Sequence, residues 1–257
     1  MAVIDGKKKY RDRIDAQFAD KKLFESINST TIEPPYRIKG MMRRDFSGDD
    51  SANIIKDIEQ KIATGHLIKT DRATSVAKTT VAGRAVIIKR YNNQGFLNSL
   101  KYTLAGSRAK RVWRETYLLQ ALDIVTPSAL GYFDVLRGGR VIRSYLINDF
   151  CPGPSLHDLL LETIIRPDEW PAFNQQVGEL LNSLHTKGVT HGDIKHTNIL
   201  YDKEQLVLID LDSLIIHHSK NKLKHGIEKD QKAYIKKINT DANEYIKRKK
   251  IELNISD

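Results

Sequence analysis

The run His191-Gly192-Asp193-Ile194-Lys195-His196-Thr197-Asn198-Ile199-Leu200, followed after a short turn by Leu208-Ile209-Asp210, constrains this chain more than any other feature. It sets a carboxylate, a lysine and a carboxamide in fixed order ahead of a β-run that ends on a second carboxylate. Phosphoryl transfer needs such a set: a carboxylate at the attacking hydroxyl, and hard oxygen ligands for magnesium ions clamped on ATP. Asp193 suits the first role, and Asn198 with Asp210 the second. Lys195, two residues past Asp193, can neutralise charge on the transferring group. His191 reads as a brace for the loop and His196 as a solvent-facing side chain without a role.

Length and composition bound the rest. The 257 residues suffice for one two-part domain with a real core, and 40% hydrophobic with 29% charged residues is ordinary for a soluble protein. No apolar run approaches the roughly 20 residues a membrane span needs. The start MAVIDGKKKYRDRID has neither the apolar centre nor the cleavage site of a signal peptide. Cys151 is the only cysteine, which excludes an intrachain disulfide and suits a cytosolic setting. The net charge of +10 favours polyanionic partners, whether nucleic acid, anionic lipid or phosphorylated substrate, although a solvated basic surface gives the same count.

Along the chain, residues 1–50 read as an N-terminal extension with two short helices, Lys8–Ala19 and Lys21–Ile27, and a stop at Pro34-Pro35. Ile54, Ile55, Ile58 and Ile62 recur at helical spacing over 51–64, with Ser51 a candidate cap. Strands follow at His66–Thr70, Ser75–Ala82 and Ala85–Arg90, then a helix at Ala109–Leu122 and strands at Gly131–Leu136 and Val141–Phe150. From Cys151 the pattern is helical, at Ser155–Ile164 and at Asp168–Lys187, where Trp170, Phe173, Val177, Leu180, Leu181 and Leu184 form an apolar face. Strands before helices predict an α+β chain, with a small β-rich N-lobe over 51–150 and a compact helical C-lobe over 151–257.

Lys89 ends the β-run Val86-Ile87-Ile88-Lys89 and can reach the α- and β-phosphates of ATP if a carboxylate holds it; otherwise it is a strand-end lysine in water. Glu115 on the following helix is the candidate carboxylate, its alternative being a surface pair with Arg111. Between the first two of these strands Thr70-Asp71-Arg72-Ala73-Thr74-Ser75 stands where a glycine-rich phosphate loop would be, leaving the hydroxyls of Thr74 and Ser75 and backbone N–H groups to meet phosphate. The Asp149 carbonyl and Cys151 N–H, where the last strand runs into Pro152-Gly153, are candidates to read adenine. His217 and His218 have no spaced partners for a zinc site.

These residues resemble the protein-kinase-like superfamily, and more narrowly the lipopolysaccharide core kinases, the heptose and Kdo kinases with their InaA-type relatives. The likeness runs from about Gly65 to Lys237 through V-I-I-K-R-Y, A-K-R-V-W-R-E-T-Y-L-L-Q-A-L, P-G-P-S-L, the H-G-D loop and I-D-L-D. It implies a bilobed protein-kinase-like fold and an ATP- and Mg2+-dependent kinase acting on a sugar hydroxyl of an anionic glycolipid or other phosphorylated sugar acceptor. That work would be done in the cytoplasm, at the inner membrane face. The chain departs from protein kinases in two ways. Leu211-Asp212 stand where Phe-Gly would follow the metal aspartate, and little chain remains for an activation segment. Asp212 is either a support for the metal or a surface carboxylate.

The tail is rich in lysine, from Lys220 to the run Lys247-Arg248-Lys249-Lys250. Either it meets an anionic membrane surface, or Ile227, Tyr234, Ile235 and Ile238 close the second lobe and the lysines are solvated. Arg108, Lys110, Arg111 and Arg114 form a second basic cluster. Two other readings stay open: a minimal atypical Ser/Thr protein kinase of the RIO-like kind, whose basic character would admit nucleic acid, and a non-catalytic nucleotide-binding pseudokinase.

Overall fold

The computed structural model describes residue 12 and residues 14–29, 35–46, 49–92, 95–161 and 170–252. These form two compact units. One holds the described residues up to Leu118 together with Pro127–Phe150, and the other holds Leu119–Thr126 and the described residues from Cys151 onward.

The first unit is built on a seven-stranded antiparallel sheet. Its strands are β1 (Phe24–Ser29), β2 (Tyr36–Arg43), β3 (His66–Thr70), β4 (Thr74–Val81), β5 (Arg84–Asn92), β6 (Ala129–Arg137) and β7 (Arg140–Asp149), in the order β1-β2-β6-β7-β5-β4-β3. Helix α1 (Asp49–Thr64) covers one face because Ile54, Ile58 and Ile62 recur every four residues and so share a side. They pack with Ala77, Val86, Ile88, Phe133, Tyr145 and Ile147 in one core cluster. Full burial of each isoleucine stabilises by about 1.5–3 kcal/mol. Helix α2 (Phe96–Ala105) precedes α3 (Arg108–Ala121), which packs on the other face through Trp113 and Tyr132, ring centres 5.6 Å apart. Ser107 caps α3 by accepting the N–H of Lys110 at 3.0 Å.

Phe24–Ser29 and Tyr36–Arg43 belong to the sheet, although their sequence suggests an extension outside it. Residues 14–19 are helical, but the second expected helix is instead strand β1, held to β2 from Phe24↔Arg43 to Ser29↔Ile38. Pairing with β2 overrides the weak helical preference of so short a run. Strand β2 buries Ile38 and Met42 in alternation, and Gly40 between them is obligatory because a Cβ there would run into the Tyr132 carbonyl. Ser51 is not a cap either: α1 already starts at Asp49. Residues 1–11, with the start of the first expected helix, lie outside the described residues.

The second unit contains α4 (Leu156–Leu161), α5 (Trp170–Thr186) and α6 (Lys220–Glu252), with two short antiparallel pairs. Strand β8 (Val189–Thr190) pairs with β11 (Ile215–Ile216), and β9 (Ile199–Asp202) with β10 (Gln205–Leu208). Val177, Leu181 and Leu184 of α5 are buried as their spacing predicts. Residues 162–169, including the expected helical residues Glu162–Ile164 and Asp168, lie outside the described residues. Helix α6 is 33 residues long, about 50 Å at 1.5 Å per residue. It turns Tyr234 inward, where the hydroxyl donates to Asn174 Oδ1 of α5 at 2.8 Å, but leaves Ile235 56% exposed. Among the described residues no helix is long and apolar enough to cross a membrane.

Candidate active site

The loop after β8 is a knot of hydrogen bonds around His191, which is fully buried. The His191 Nδ1 accepts the Asp193 N–H at 3.4 Å, so its Nε2 carries the proton and donates to the Ile209 carbonyl at 3.0 Å. Ile209 in turn donates its N–H to the Asn198 carbonyl at 3.0 Å. Asp210 thus follows a residue tied on both sides to the catalytic loop. Asp210 itself is left-handed, with φ 58 and ψ 59, and a 3₁₀ turn, Leu211–Ser213, starts at once. A non-glycine residue held in that region signals a position set by its surroundings.

Asn198 is buried, and its Nδ2 donates to the Asp193 carbonyl at 3.0 Å. That commits the amide nitrogen inward and leaves Oδ1 as the atom that could meet a cation. An Asn oxygen and an Asp carboxylate are hard donors of the kind magnesium takes alongside phosphate oxygens and water. The two residues therefore fit the ion. Among the described residues no three His, Cys, Asp or Glu side chains gather as a cation site. Asp193 is half exposed, and the Lys195 Nζ lies 3.0 Å from its Oδ2. One carboxylate with an adjacent ammonium can orient a hydroxyl and meet developing phosphate charge.

The residue that sequence reading missed is Asp230, on α6 and 1% exposed. Its Oδ2 accepts the His191 N–H at 2.8 Å, its Oδ1 accepts the Gly192 N–H at 2.8 Å, and His185 Nε2 stands 3.2 Å from Oδ2. Burial works to raise the carboxyl pKa, but the His185 bond and the two N–H groups outweigh it and hold the group below the ordinary Asp range. Gly192 is required beside it: φ is 79, and a Cβ would run into the Ser213 carbonyl. A signal for Asp230 existed. It lies three residues after Ile227 and four before Tyr234, so an acid falls on the inward face of a basic helix.

His196 is not solvent-facing. The 3₁₀ turn His196–Asn198 buries it, with its ring edge-on to Tyr234 at 4.9 Å. His217 Nε2 lies 2.7 Å from Thr190 Oγ1, in a structural contact beside β8.

In the first unit the pleat sorts the nucleotide candidates. Val76 pairs with Lys89 and Ser75 with Arg90, so Lys89 and Ser75 point to opposite faces. Lys89 shares its face with Tyr91, over whose ring the Arg108 guanidinium lies at 4.7 Å. Arg108 begins α3, so Lys89 stands on the side that α3 covers. Glu115 of α3 is 9% exposed and takes Arg111 Nε at 3.7 Å. It is thus a buried-edge carboxylate as well as half of a surface pair.

Ser75 faces α1 instead: its Oγ lies 3.2 Å from Thr70 Oγ1 and accepts from Arg90 Nη2 at 3.1 Å, while Arg90 also pairs with Glu59 of α1 at 2.6 Å. The expectation that Ser75 meets phosphate is therefore corrected. Thr74 is buried too, and Asp71 Oδ1 accepts the N–H groups of Ala73 and Thr74 at 2.7 and 2.8 Å. A carboxylate thus already holds these two amides, while the pleat puts Thr74, opposite Tyr91, on the same face as Lys89. The Asp149 carboxylate is clamped by Arg84 at 2.6 and 2.7 Å, so its side chain is already engaged. Burial pushes the Cys151 thiol up, which disfavours its thiolate.

A family model of the protein kinase domain matches residues 72–252. The chain belongs to the protein kinase domain family. Members are ATP-dependent phosphotransferases that use a divalent metal, generally magnesium. The serine/threonine-protein kinase pkn2 of Myxococcus xanthus is 32% identical over 106 residues, 40% of this chain and 12% of that protein. A probable bifunctional tRNA threonylcarbamoyladenosine biosynthesis protein of Methanosarcina mazei is 45% identical over 40 residues, 16% of this chain and 7% of that one. The chain thus spans a small part of these relatives. Among solved structures, WaaP in complex with acyl carrier protein aligns with a TM-score of 0.52 and 18% identity, over 70% of this chain and 72% of that one. The likeness is one of fold, and it agrees with the kinase-like α+β architecture expected from the sequence.

Proposed function

We propose that the chain is an ATP- and magnesium-dependent kinase that phosphorylates a sugar hydroxyl of a lipopolysaccharide-core glycolipid at the cytoplasmic face of the membrane. The observation that carries the kinase reading is the anchored loop. Asp193, Lys195 and Asn198 sit on a backbone that His191 ties to the residue before Asp210. In this proposal Asp193 orients or deprotonates the acceptor hydroxyl, and Lys195 meets the charge on the transferring phosphoryl group. Asn198 and Asp210 hold magnesium, which neutralises and aligns the nucleotide phosphates. Lys89, steadied by Glu115, contacts the α- and β-phosphates. The main chain around Asp149 and Cys151 reads adenine.

The acceptor class is supported by the fold likeness to WaaP and by charge. Lys222, Lys229, Lys232 and Lys236 are exposed and lie along one side of α6. Positive charges near an anionic surface contribute about 1 kcal/mol each. A second reading, a minimal Ser/Thr protein kinase, is supported by the match to pkn2 and by the short match to the Methanosarcina protein, whose name concerns tRNA.

The test is ADP release from magnesium-ATP with and without purified lipopolysaccharide core, for the wild type and Asp193→Ala. Core-stimulated release that falls roughly 10²–10⁴-fold in the variant is the expected result. Asp193-dependent release indifferent to the core moves the acceptor to protein. ATP binding without release in either protein leaves a pseudokinase.

A further inference from the structure

Helix α3 is gripped by residues far upstream of it. Phe18 meets Phe24 and Tyr117 edge-on, each at 5.3 Å, and lies 6.0 Å from Trp113. Phe24 adds edge contacts to Trp113 at 5.7 Å and to Tyr117 at 5.3 Å. Arg114 Nη2 lies 2.6 Å from Asp15 Oδ1, and its guanidinium carbon is 5.8 Å from the Phe18 ring centre. The segment is fastened at its far end, since Phe24 opens β1 and is paired with Arg43 of β2. Ile14, 3% exposed, buries its near end.

The grip is on one side of α3 only. Each residue turns the helix by about 100°, so Glu115 lies about 160° round from both Trp113 and Tyr117. The rings hold the back of the helix whose opposite side carries Glu115. A rotation or slide of α3 large enough to move Glu115 must open these ring contacts, and aromatic pairs contribute beyond their buried area. The rest of the segment is exposed, with Ala16, Gln17 and Ala19 all outside the contact. Its apolar investment is thus concentrated on α3.

We propose that residues 14–24 form a built-in clasp that sets the position of α3, with Phe18 and Asp15 as positioning residues for Glu115. The inference rests on the kinase reading above, in which Glu115 steadies Lys89 at the nucleotide phosphates. It predicts that loss of the clasp and loss of the Glu115 carboxylate remove the same thing. A clasp that only adds stability predicts two independent losses.

The test is a double-mutant cycle on the full chain, measuring magnesium-dependent ADP release over a range of ATP, with thermal unfolding alongside. Phe18→Ala is expected to lower kcat/KM for ATP roughly ten- to a hundredfold, as a displacement near 1 Å does. Phe18→Leu, which keeps apolar bulk, restores most of it. In a Glu115→Gln background Phe18→Ala has little further effect. Equal falls in both backgrounds overturn the inference, as does a lowered melting temperature with ATP kinetics unchanged. Should Phe18→Ala fail to fold, Asp15→Asn removes only the exposed pair to Arg114. It is then expected to give a fall of about two- to threefold that likewise vanishes with Glu115→Gln, and additivity there overturns the inference. A wild type that releases no ADP overturns the kinase reading itself, and that result is visible before any variant is compared.

Discussion

Asp230→Asn exchanges one carboxylate oxygen for an amide nitrogen at a point where three donors converge. In the native protein both oxygens are used, on the N–H groups of His191 and Gly192 at 2.8 Å, with His185 Nε2 at 3.2 Å. The carboxamide can accept from one N–H but must turn its own NH2 towards the other. One buried backbone donor is then left facing a donor. Hydrogen bonds to a charged group contribute about 1.5–3 kcal/mol, and an unmet buried group costs about 1–3 kcal/mol. Breaking such a buried network costs roughly 3–5 kcal/mol, a large share of a stability of about 5–15 kcal/mol.

The same two N–H groups belong to the residues just before Asp193, so the loop loosens where it must be still. Turnover is expected to fall about 10²-fold. Urea unfolding and ADP release, measured together at pH 7, check both effects. The Asp230 carboxyl is held below its ordinary range, so its contribution is complete above about pH 4 and is lost as pH falls through the lower folded value. The stability gap between wild type and variant therefore closes in acid below about pH 4. A variant within about 0.5 kcal/mol of wild type, or a gap that widens below that pH, would refute the assignment of Asp230 as the anchor of the loop.

Two further predictions concern the first unit. Ser75→Ala leaves the KM for ATP unchanged, because Ser75 faces α1, and costs about 1 kcal/mol in urea unfolding for its bond to Arg90; a KM raised severalfold would return Ser75 to the phosphates. Asp134 is 7% exposed, and burial pushes its carboxyl up to about 6 against the opposing pull of a Ser107 hydrogen bond. Between about pH 4 and 6 the folded chain therefore holds a proton that the unfolded chain has lost, and stability falls as pH rises. About two pKa units at 1.36 kcal/mol each make this at most roughly 3 kcal/mol. Urea unfolding of wild type against Asp134→Asn across pH 4–7 reads it, and a difference flat over that range sinks the account.

How much was legible depends on the distance over which each feature is decided. The order of His191, Asp193, Asn198 and Asp210 is local chemistry, written within a few turns of chain, and it could be read directly. The sheet strands from β3 to β7 were legible because their β-branched alternation and the turns at Gly83-Arg84, one residue later than the actual Ala82-Gly83, and Gly138-Gly139 are local too. Strands β1 and β2 were not. Their partners are each other and β6, and β2 meets β6 from Tyr36↔Arg137 to Met42↔Gly131. No property of residues 24–43 taken alone announces that pairing. The alternation of Ile38 and Met42 was present, but β2 has Gly40 where a third apolar side chain would have completed the pattern. His196 was misread for a related reason: a single 3₁₀ turn decides its direction, and helical periodicity does not cover three residues.

The misplacement of Ser75 was avoidable, and it shows how far a turn can carry an inference. The two-residue turn Ala82-Gly83 puts Val81 opposite Arg84, the register a hairpin of that length imposes. Counting back along both strands from there sets Val76 opposite Lys89 and Ser75 opposite Arg90. Directly paired residues share a face, so placing Lys89 at the nucleotide already places Ser75 on the far side of the sheet. The lysine and the turn together were enough. A hydroxyl near a candidate nucleotide strand is thus no candidate until the pleat has been counted, and that count sets Ser75 apart while it leaves Thr74, opposite Tyr91, on the face of Lys89.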